Sequence, residues 1–260
     1  MNTQSNVRVY DLPTRLFHWT FVFLFAFAFV IAKTVDDDSP QYAYHMLAGL
    51  MLVSAVILRI IWGIFGSPHS RFTNFRLNPS ELMSYFKDIL GGSSRKYFSH
   101  NPASSWAALI MMICAIGLAG TGMMMAQKIN KDFFEDIHEV FGTVLLVTAI
   151  AHILGVVVHT IRHRDPIGLS MIHGNKSSIG NFADQPKPAT QQWVAALIFL
   201  FAMGTVANHL RQNYDPNQGV LKLFGTQLQL GENEDDEKKT EGTQNSEKSE
   251  TSEKSEDHDD

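Results

Sequence analysis

Two histidines fourteen residues apart constrain this chain more than any other feature. His138 and His152 lie in one apolar stretch, residues 137–161. At 3.6 residues per turn, fourteen residues make almost four whole turns, so both imidazoles leave the same face of one helix, roughly 21 Å apart along its axis. Two further histidines, His18 and His45, lie near the ends of two other apolar stretches. Three helices therefore offer four candidate metal ligands, enough for two irons.

Five apolar stretches approach or reach the ~20 residues that a helix needs to cross about 30 Å of hydrocarbon. The first follows Arg8 and Arg15 and is short enough to be the apolar core of a signal peptide, but no small-residue cleavage site precedes Lys33. The sequence therefore predicts an all-α integral membrane protein. The predicted spans are residues 16–32, 42–66, 104–126, 137–161 and 192–209.

The net negative charge of the chain comes from its C-terminal tail. Residues 231–260 contain thirteen acidic and four basic residues, whereas residues 1–230 contain thirteen acidic and seventeen basic ones. A repetitive, charged segment of this kind buries little apolar surface, so we expect the tail to be disordered. Outside the membrane it would either attract a basic partner such as a c-type cytochrome or act only as a solubilising tail.

The orientation follows from the distribution of Lys and Arg among the connections. The links over residues 67–103 and 162–191 are rich in basic residues, which predicts that both are cytoplasmic. The links over residues 33–41 and 127–136 are short and acidic on balance. The N-terminus is then cytoplasmic, and five spans place the C-terminal tail outside.

Depth within the bilayer groups the histidines into two pairs. His45 and His138 lie toward the outer surface, and His18 and His152 lie toward the cytoplasmic side. His159 follows His152 by seven residues on the same helix face, so from spacing alone it is an alternative partner for His18. Because intramembrane ionisable residues are costly, two such pairs favour haem ligation over structural roles. The remaining histidines are expected to be solvated: His69, His100, His163, His173, His209 and His258.

Small and charged residues flank the candidate ligands. Gly49 and Gly142 each follow a histidine of the outer pair by four residues, so each opens a helix face either for a porphyrin or for close helix packing. Arg15 and Arg59 lie near the cytoplasmic boundary, where they either pair with haem propionates or snorkel to lipid headgroups. The single cysteine, Cys114, lies within a span, which excludes an internal disulfide and covalent c-type haem attachment.

Longer motifs point to one family. Residues 7–19 read VRVYDLPTRLFHW, residues 44–72 read YHMLAGLMLVSAVILRIIWGIFGSPHSRF, and residues 99–106 read SHNPASSW. Together with the histidine pair of the fourth span, these motifs resemble the bacterial cytochrome b561 family, which includes the b-type cytochrome subunits of nickel-iron hydrogenases. The resemblance covers about residues 7–175.

The resemblance implies a four-helix membrane bundle over residues 1–175 that holds two b haems, each between two histidines. His18 and His152 would ligate the cytoplasmic-side haem, and His45 and His138 the outer one. It also implies electron transfer in the bacterial inner membrane between the quinone pool and an external c-type cytochrome or hydrogenase. With such a partner the chain would act as a quinol oxidoreductase.

The resemblance says little about the rest of the chain. We expect a cytoplasmic linker over residues 176–191, an additional membrane helix over 192–210, and an external polar segment over 211–260 that ends in the acidic tail. The alternatives are a haem-free small transporter, a membrane anchor for a redox complex, and a terminal reductase of an external metal or superoxide. Contacts with lipid are expected and none with nucleic acid, and a homodimer is left open.

The predicted topology can be tested by cysteine labelling. Ser252→Cys is expected to react with a membrane-impermeant maleimide added to intact spheroplasts, because the tail is placed outside. Ser94→Cys, in a predicted cytoplasmic link, should react only after permeabilisation. The unaltered chain, in which Cys114 lies within a span, gives the background. Labelling of Ser94→Cys in intact spheroplasts would contradict the orientation.

Overall fold

Five long helices dominate the computed structural model, which describes residues 5–68, 70–91, 101–163, 167–178, 189–223 and 225–230. All five are long and apolar enough to cross a membrane. This confirms the five predicted spans, most of which extend a few residues further than the apolar pattern indicates. The helices of the described part are α1 (Leu12–Thr34), α2 (Ala43–Phe65), α3 (Pro79–Leu90), α4 (Pro102–Ala126), α5 (Lys131–His163), α6 (Ser170–His173) and α7 (Trp193–Asn213).

Polar side chains determine where two of the long helices begin. Asp11 caps α1 by accepting a hydrogen bond from the Thr14 amide at 3.0 Å. Asn101 caps α4 in the same way and accepts from the Ser104 amide at 2.7 Å. A proline follows in the first turn of each helix, where a missing N–H costs no intrahelical hydrogen bond.

The packing of the bundle leaves α5 apart from α1 and α2. Helix α2 packs against α1, α4 and α7, whereas α5 packs most closely against α4. In the part of the chain that the structure describes, α5 approaches the backbones of α1 and α2 less closely. Side chains from all four helices nevertheless meet in one apolar core, to which Phe21, Leu52, Met112 and Leu145 contribute. The four candidate histidines lie on α1, α2 and α5.

The fifth membrane helix is part of the bundle. Phe199 and Met203 of α7 are buried against Ala55 of α2. Leu16 and Leu24 of α1 pack against the same cluster. Helix α7 therefore packs on the four-helix core. The sequence alone leaves open whether this helix packs on the core or only carries the tail.

The start of the chain is attached to the segment that follows α5. Strand β1 (Ser5–Arg8) pairs antiparallel with β2 (Asn175–Ser178). The carbonyl of Gly174 accepts hydrogen bonds from the amides of Val9 and Tyr10 at 2.8 and 3.1 Å. Gly174 has a φ of +84°, and a Cβ there would lie 2.7 Å from the Tyr10 carbonyl oxygen, so this position requires glycine.

A small three-stranded sheet follows α7, in the segment from residue 211 onward for which the sequence predicts an external polar stretch. Leu221 and Leu228 lie opposite each other in the sheet and are buried against Ala43 of α2 and Ala126 of α4. The alternation of apolar and polar residues over this segment gives the sheet one buried face. Because the chain also contains these two sheets, the all-α prediction holds only for the membrane bundle. The strands of the second sheet are β3 (Tyr214–Asp215), β4 (Val220–Leu223) and β5 (Thr226–Gln229).

The link between α2 and α4 contains helix α3, which the sequence analysis does not predict. Arg162 near the end of α5 donates a hydrogen bond to the carbonyl of Ile89 in α3 at 2.7 Å. Several predictions fall outside the described residues, namely those for the acidic tail over 231–260, for part of the linker (179–188), for His69, His100 and His258, and for the side chain of His163.

Burial of the second sheet predicts a measurable contribution to stability. Leu221 is fully buried, so Leu221→Ala should lower the free energy of unfolding by about 2–5 kcal/mol. Lys222 on the same strand is exposed, and Lys222→Ala should leave stability nearly unchanged. Thermal unfolding in detergent compares the two variants. Equal effects would contradict packing of the sheet on the helices.

Candidate functional site

The two outer histidines face each other across the bundle. His45 near the start of α2 and His138 in the first turns of α5 have ring centres 6.1 Å apart, with an angle of 62° between the ring planes. Metal–nitrogen bonds of about 2 Å on either side of one metal put two imidazole centres about 6 Å apart. The separation of the two rings therefore suits one metal atom held between them.

Hydrogen bonds determine which nitrogen of each outer imidazole carries the proton. Nδ1 of His45 lies 2.9 Å from the carbonyl oxygen of Ala28, which only accepts, so Nδ1 donates. Nδ1 of His138 lies 2.8 Å from the hydroxyl oxygen of Thr121, and that hydroxyl itself donates to the Gly117 carbonyl at 2.9 Å. The Thr121 oxygen therefore accepts from His138. In both rings Nε2 keeps a lone pair, the form in which histidine binds metals.

Open space lies beside the two glycines near the outer pair. A Cβ added to Gly49 would meet no atom within 4 Å, and one added to Gly142 would first meet Leu118 at 3.9 Å. A glycine at a close helix contact in this bundle has no such space, because a Cβ on Gly117 would lie 2.5 Å from the Phe141 ring. Gly49 in particular provides room for a flat group rather than a helix contact.

The second histidine pair lies toward the other end of the bundle. His18 on α1 and His152 on α5 are both half-buried and lie close enough to interact electrostatically. The ring of Trp19 meets His18 edge-on at 5.4 Å. His159, the alternative partner, is half-buried two turns further along α5. Among the histidines predicted to be solvated, His173 and His209 are exposed.

A buried polar network centred on Asp11 lies at the same end of the bundle as His18. Asp11 is 1% exposed and accepts hydrogen bonds from the Trp62 indole at 3.2 Å and from the Ser67 hydroxyl. The Ser67 hydroxyl lies 3.2 Å from that of Ser70, which donates to the Ser67 carbonyl at 2.8 Å. The Ser70 carbonyl accepts from Arg59 at 2.9 Å. The network joins the first turn of α1 to the end of α2 and the residues after it, and so connects two of the sequence motifs.

Among the residues that the structure describes, both candidate arginines have a donor without a partner. Arg59 is 4% exposed and lies 4.9 Å from the ring centre of Phe72 and 6.0 Å from that of Phe17, while no described atom accepts from its Nη1. Arg15 donates through Nη2 to the Ile172 carbonyl, but its Nε has no acceptor in the described part of the chain. Buried donors of this kind cost stability unless they are satisfied. An anionic group such as a propionate fits them.

An apolar layer lies between the two histidine pairs. Leu145 is fully buried and lies seven residues, about two helical turns, from both His138 and His152. Phe21 of α1 and Leu52 of α2 belong to the same buried cluster. Both pairs therefore border one apolar core. Cys114 is a free, buried member of this core, in agreement with a packing role.

Several residues around the two histidine pairs were not predicted from the sequence. Thr121 carries no signal, because its contact with His138 depends on how α4 packs against α5. Tyr42, whose ring stacks on His45 at 5.2 Å, likewise belongs to no sequence pattern that indicates this contact. Asp11 was detectable as a helix cap before Pro13, but not as the centre of a network.

Comparisons with known proteins agree with this arrangement. The family model of prokaryotic cytochrome b561 matches residues 9–174. Two curated relatives are both described as "Probable Ni/Fe-hydrogenase B-type cytochrome subunit". The protein of Azotobacter vinelandii is 25% identical over 167 residues, which cover 55% of this chain and 68% of the relative. The protein of Rhizobium leguminosarum bv. viciae is 24% identical over 214 residues, which cover 66% and 90%.

The chain belongs to the prokaryotic cytochrome b561 family, which confirms the resemblance in its motifs. It is a membrane cytochrome, whose family implies haem b and electron transfer, so the haem-free alternatives are not favoured. The matched region runs from the residues before α1 to the end of α6 and contains all four candidate histidines. Helix α7 and the second sheet follow it.

The open space at Gly49 gives a direct test of the outer site. Gly49→Leu should lower the haem content while the helical bundle still forms, because the new side chain would extend into the space beside Gly49, where no described atom lies within 4 Å of an added Cβ. Gly204 of α7 is exposed and also has no atom within 4 Å of an added Cβ, so Gly204→Leu is the matched control. Haem absorbance per chain and circular dichroism make the comparison. Equal haem content in both variants would refute the role of Gly49.

Proposed function

We propose that the chain is a transmembrane electron carrier with two b haems, each held by two histidines. The observation that carries the proposal is the outer pair, whose rings are 6.1 Å apart with each Nδ1 engaged in a hydrogen bond. His45 and His138 would bind the outer haem through Nε2. The ring positions, the tautomers and the space at Gly49 all support this assignment.

His18 and His152 would bind the second haem at the cytoplasmic side. The electrostatic interaction between His18 and His152 is consistent with this pair. The similarity to the family favours it over His18 with His159. The unsatisfied donors of Arg15 and Arg59 would receive the propionates of this haem. The network around Asp11 would hold Arg59 in place through Ser70.

The proposed ligand sets determine the type of chemistry. A haem with histidine on both sides of its iron has no open coordination position, so it supplies one-electron transfer and not oxygen activation. The chain would contribute the enclosure, because Phe21, Leu52 and Leu145 form an apolar layer between the two sites. Electrons would cross the membrane through this layer.

The proposed route runs between the quinone pool and a partner outside the bacterial inner membrane, with the N-terminus cytoplasmic. Two observations bear on the partner. The relatives are named as hydrogenase subunits, which favours a hydrogenase-type partner. The acidic residues 231–260 favour a basic c-type cytochrome, which they would attract from outside.

Alanine variants of single histidines test the assignment. His45→Ala and His138→Ala should each lose one haem, and His18→Ala and His152→Ala the other, so that the two pairs give two distinct residual spectra. All four variants should block electron transfer from a quinol to an external acceptor in reconstituted vesicles. His209→Ala, at an exposed position on α7, is the matched control.

Three outcomes would contradict the assignment. Loss of a haem from His159→Ala, with both haems kept in His152→Ala, would mean that His159 and not His152 is the ligand. Identical residual spectra from His45→Ala and His18→Ala would contradict the grouping into pairs. Unimpaired electron transfer in all four variants would contradict the transmembrane route.

A further inference from the structure

Thr121 connects the outer histidine site to the backbone of α4. Its side chain is buried, and its hydroxyl oxygen lies 2.8 Å from Nδ1 of His138. The same oxygen lies 2.9 Å from the Gly117 carbonyl and 3.2 Å from the Leu118 carbonyl, so its single hydrogen is directed to its own helix. The lone pairs of the hydroxyl are then available to His138.

The two histidines of the outer pair differ in their support. His45 donates to a main-chain carbonyl, that of Ala28, which no side-chain substitution removes. His138 donates to a side-chain hydroxyl, which a single substitution can remove. The Leu118 carbonyl also lies beside the His138 ring. The Thr121 hydroxyl is thus the one of these two hydrogen-bond acceptors that a single substitution can remove.

We propose that Thr121 is a positioning residue that fixes the tautomer of His138 and lowers the reduction potential of the outer haem. The inference rests on the proposed ligation of that haem by His45 and His138. A hydrogen bond donated by the distal N–H makes an imidazole a stronger base and holds its orientation. A more basic ligand stabilises the ferric state, which lowers the potential.

Three substitutions test this role in the purified, haem-loaded protein. Thr121→Val keeps the shape of the side chain but lacks the hydroxyl, and should shift the potential of the outer haem to a more positive value. Thr121→Ser keeps the hydroxyl and should restore the parental potential. Thr205→Val is the matched control, because Thr205 also bonds to its own helix, at the Phe201 carbonyl, but lies exposed on α7.

The measurement is a redox titration followed by optical spectroscopy, with the outer haem identified as the one missing from His45→Ala. A positive shift in Thr121→Val alone, reversed in Thr121→Ser, supports the proposal. An unchanged potential in Thr121→Val overturns it and indicates that the Leu118 carbonyl replaces the hydroxyl.

A loss of haem is informative as well. If Thr121→Val loses the outer haem and Thr121→Ser keeps it, the hydroxyl has the positioning role. If Thr121→Ser also loses it, a hydroxyl at this position is not sufficient to hold the ligand, and the proposal fails. Failure of the proposed function looks different, because the unaltered protein would then lack a haem that depends on His45 and His138.

Discussion

The hydrogen bonds from Nδ1 of His45 and His138 are the interactions on which the outer site depends. An imidazole N–H within hydrocarbon is costly unless it is satisfied, and the bundle satisfies it internally, with a carbonyl of α1 and a hydroxyl of α4. The same bonds leave each Nε2 with its lone pair. Helices α1, α2, α4 and α5 therefore meet at one pair of rings, which explains why the arrangement of the two rings needs all four of them.

The other end of the bundle depends on a buried carboxylate. Asp11 caps α1 and also accepts hydrogen bonds from Trp62 and Ser67, so the start of α1 and the end of α2 share one network. Through Ser70 this network contacts Arg59, whose Nη1 has no acceptor among the described residues. Polar groups are thus concentrated at this end, where we propose that an anion binds, whereas the layer around Leu145 remains apolar.

The membrane helices and the grouping of the histidines follow from properties that a sequence displays directly. Helical period and apolar length are local, so the span that carries His138 and His152 was recognisable at once. The hydroxyl of Thr121 was not, because its role arises only where α4 meets α5. The second sheet escaped prediction because its strands are short, and Leu221 and Leu228 become a core only when packed against α2 and α4.

The central claim is that one chain binds two b haems, each between two histidines. The most direct test is a reduced-minus-oxidised spectrum of the purified, unaltered protein, combined with pyridine-haem quantitation per chain. The account predicts two noncovalently bound b haems with low-spin, six-coordinate spectra. A single haem per chain, or a high-spin haem with an open coordination position, would contradict it.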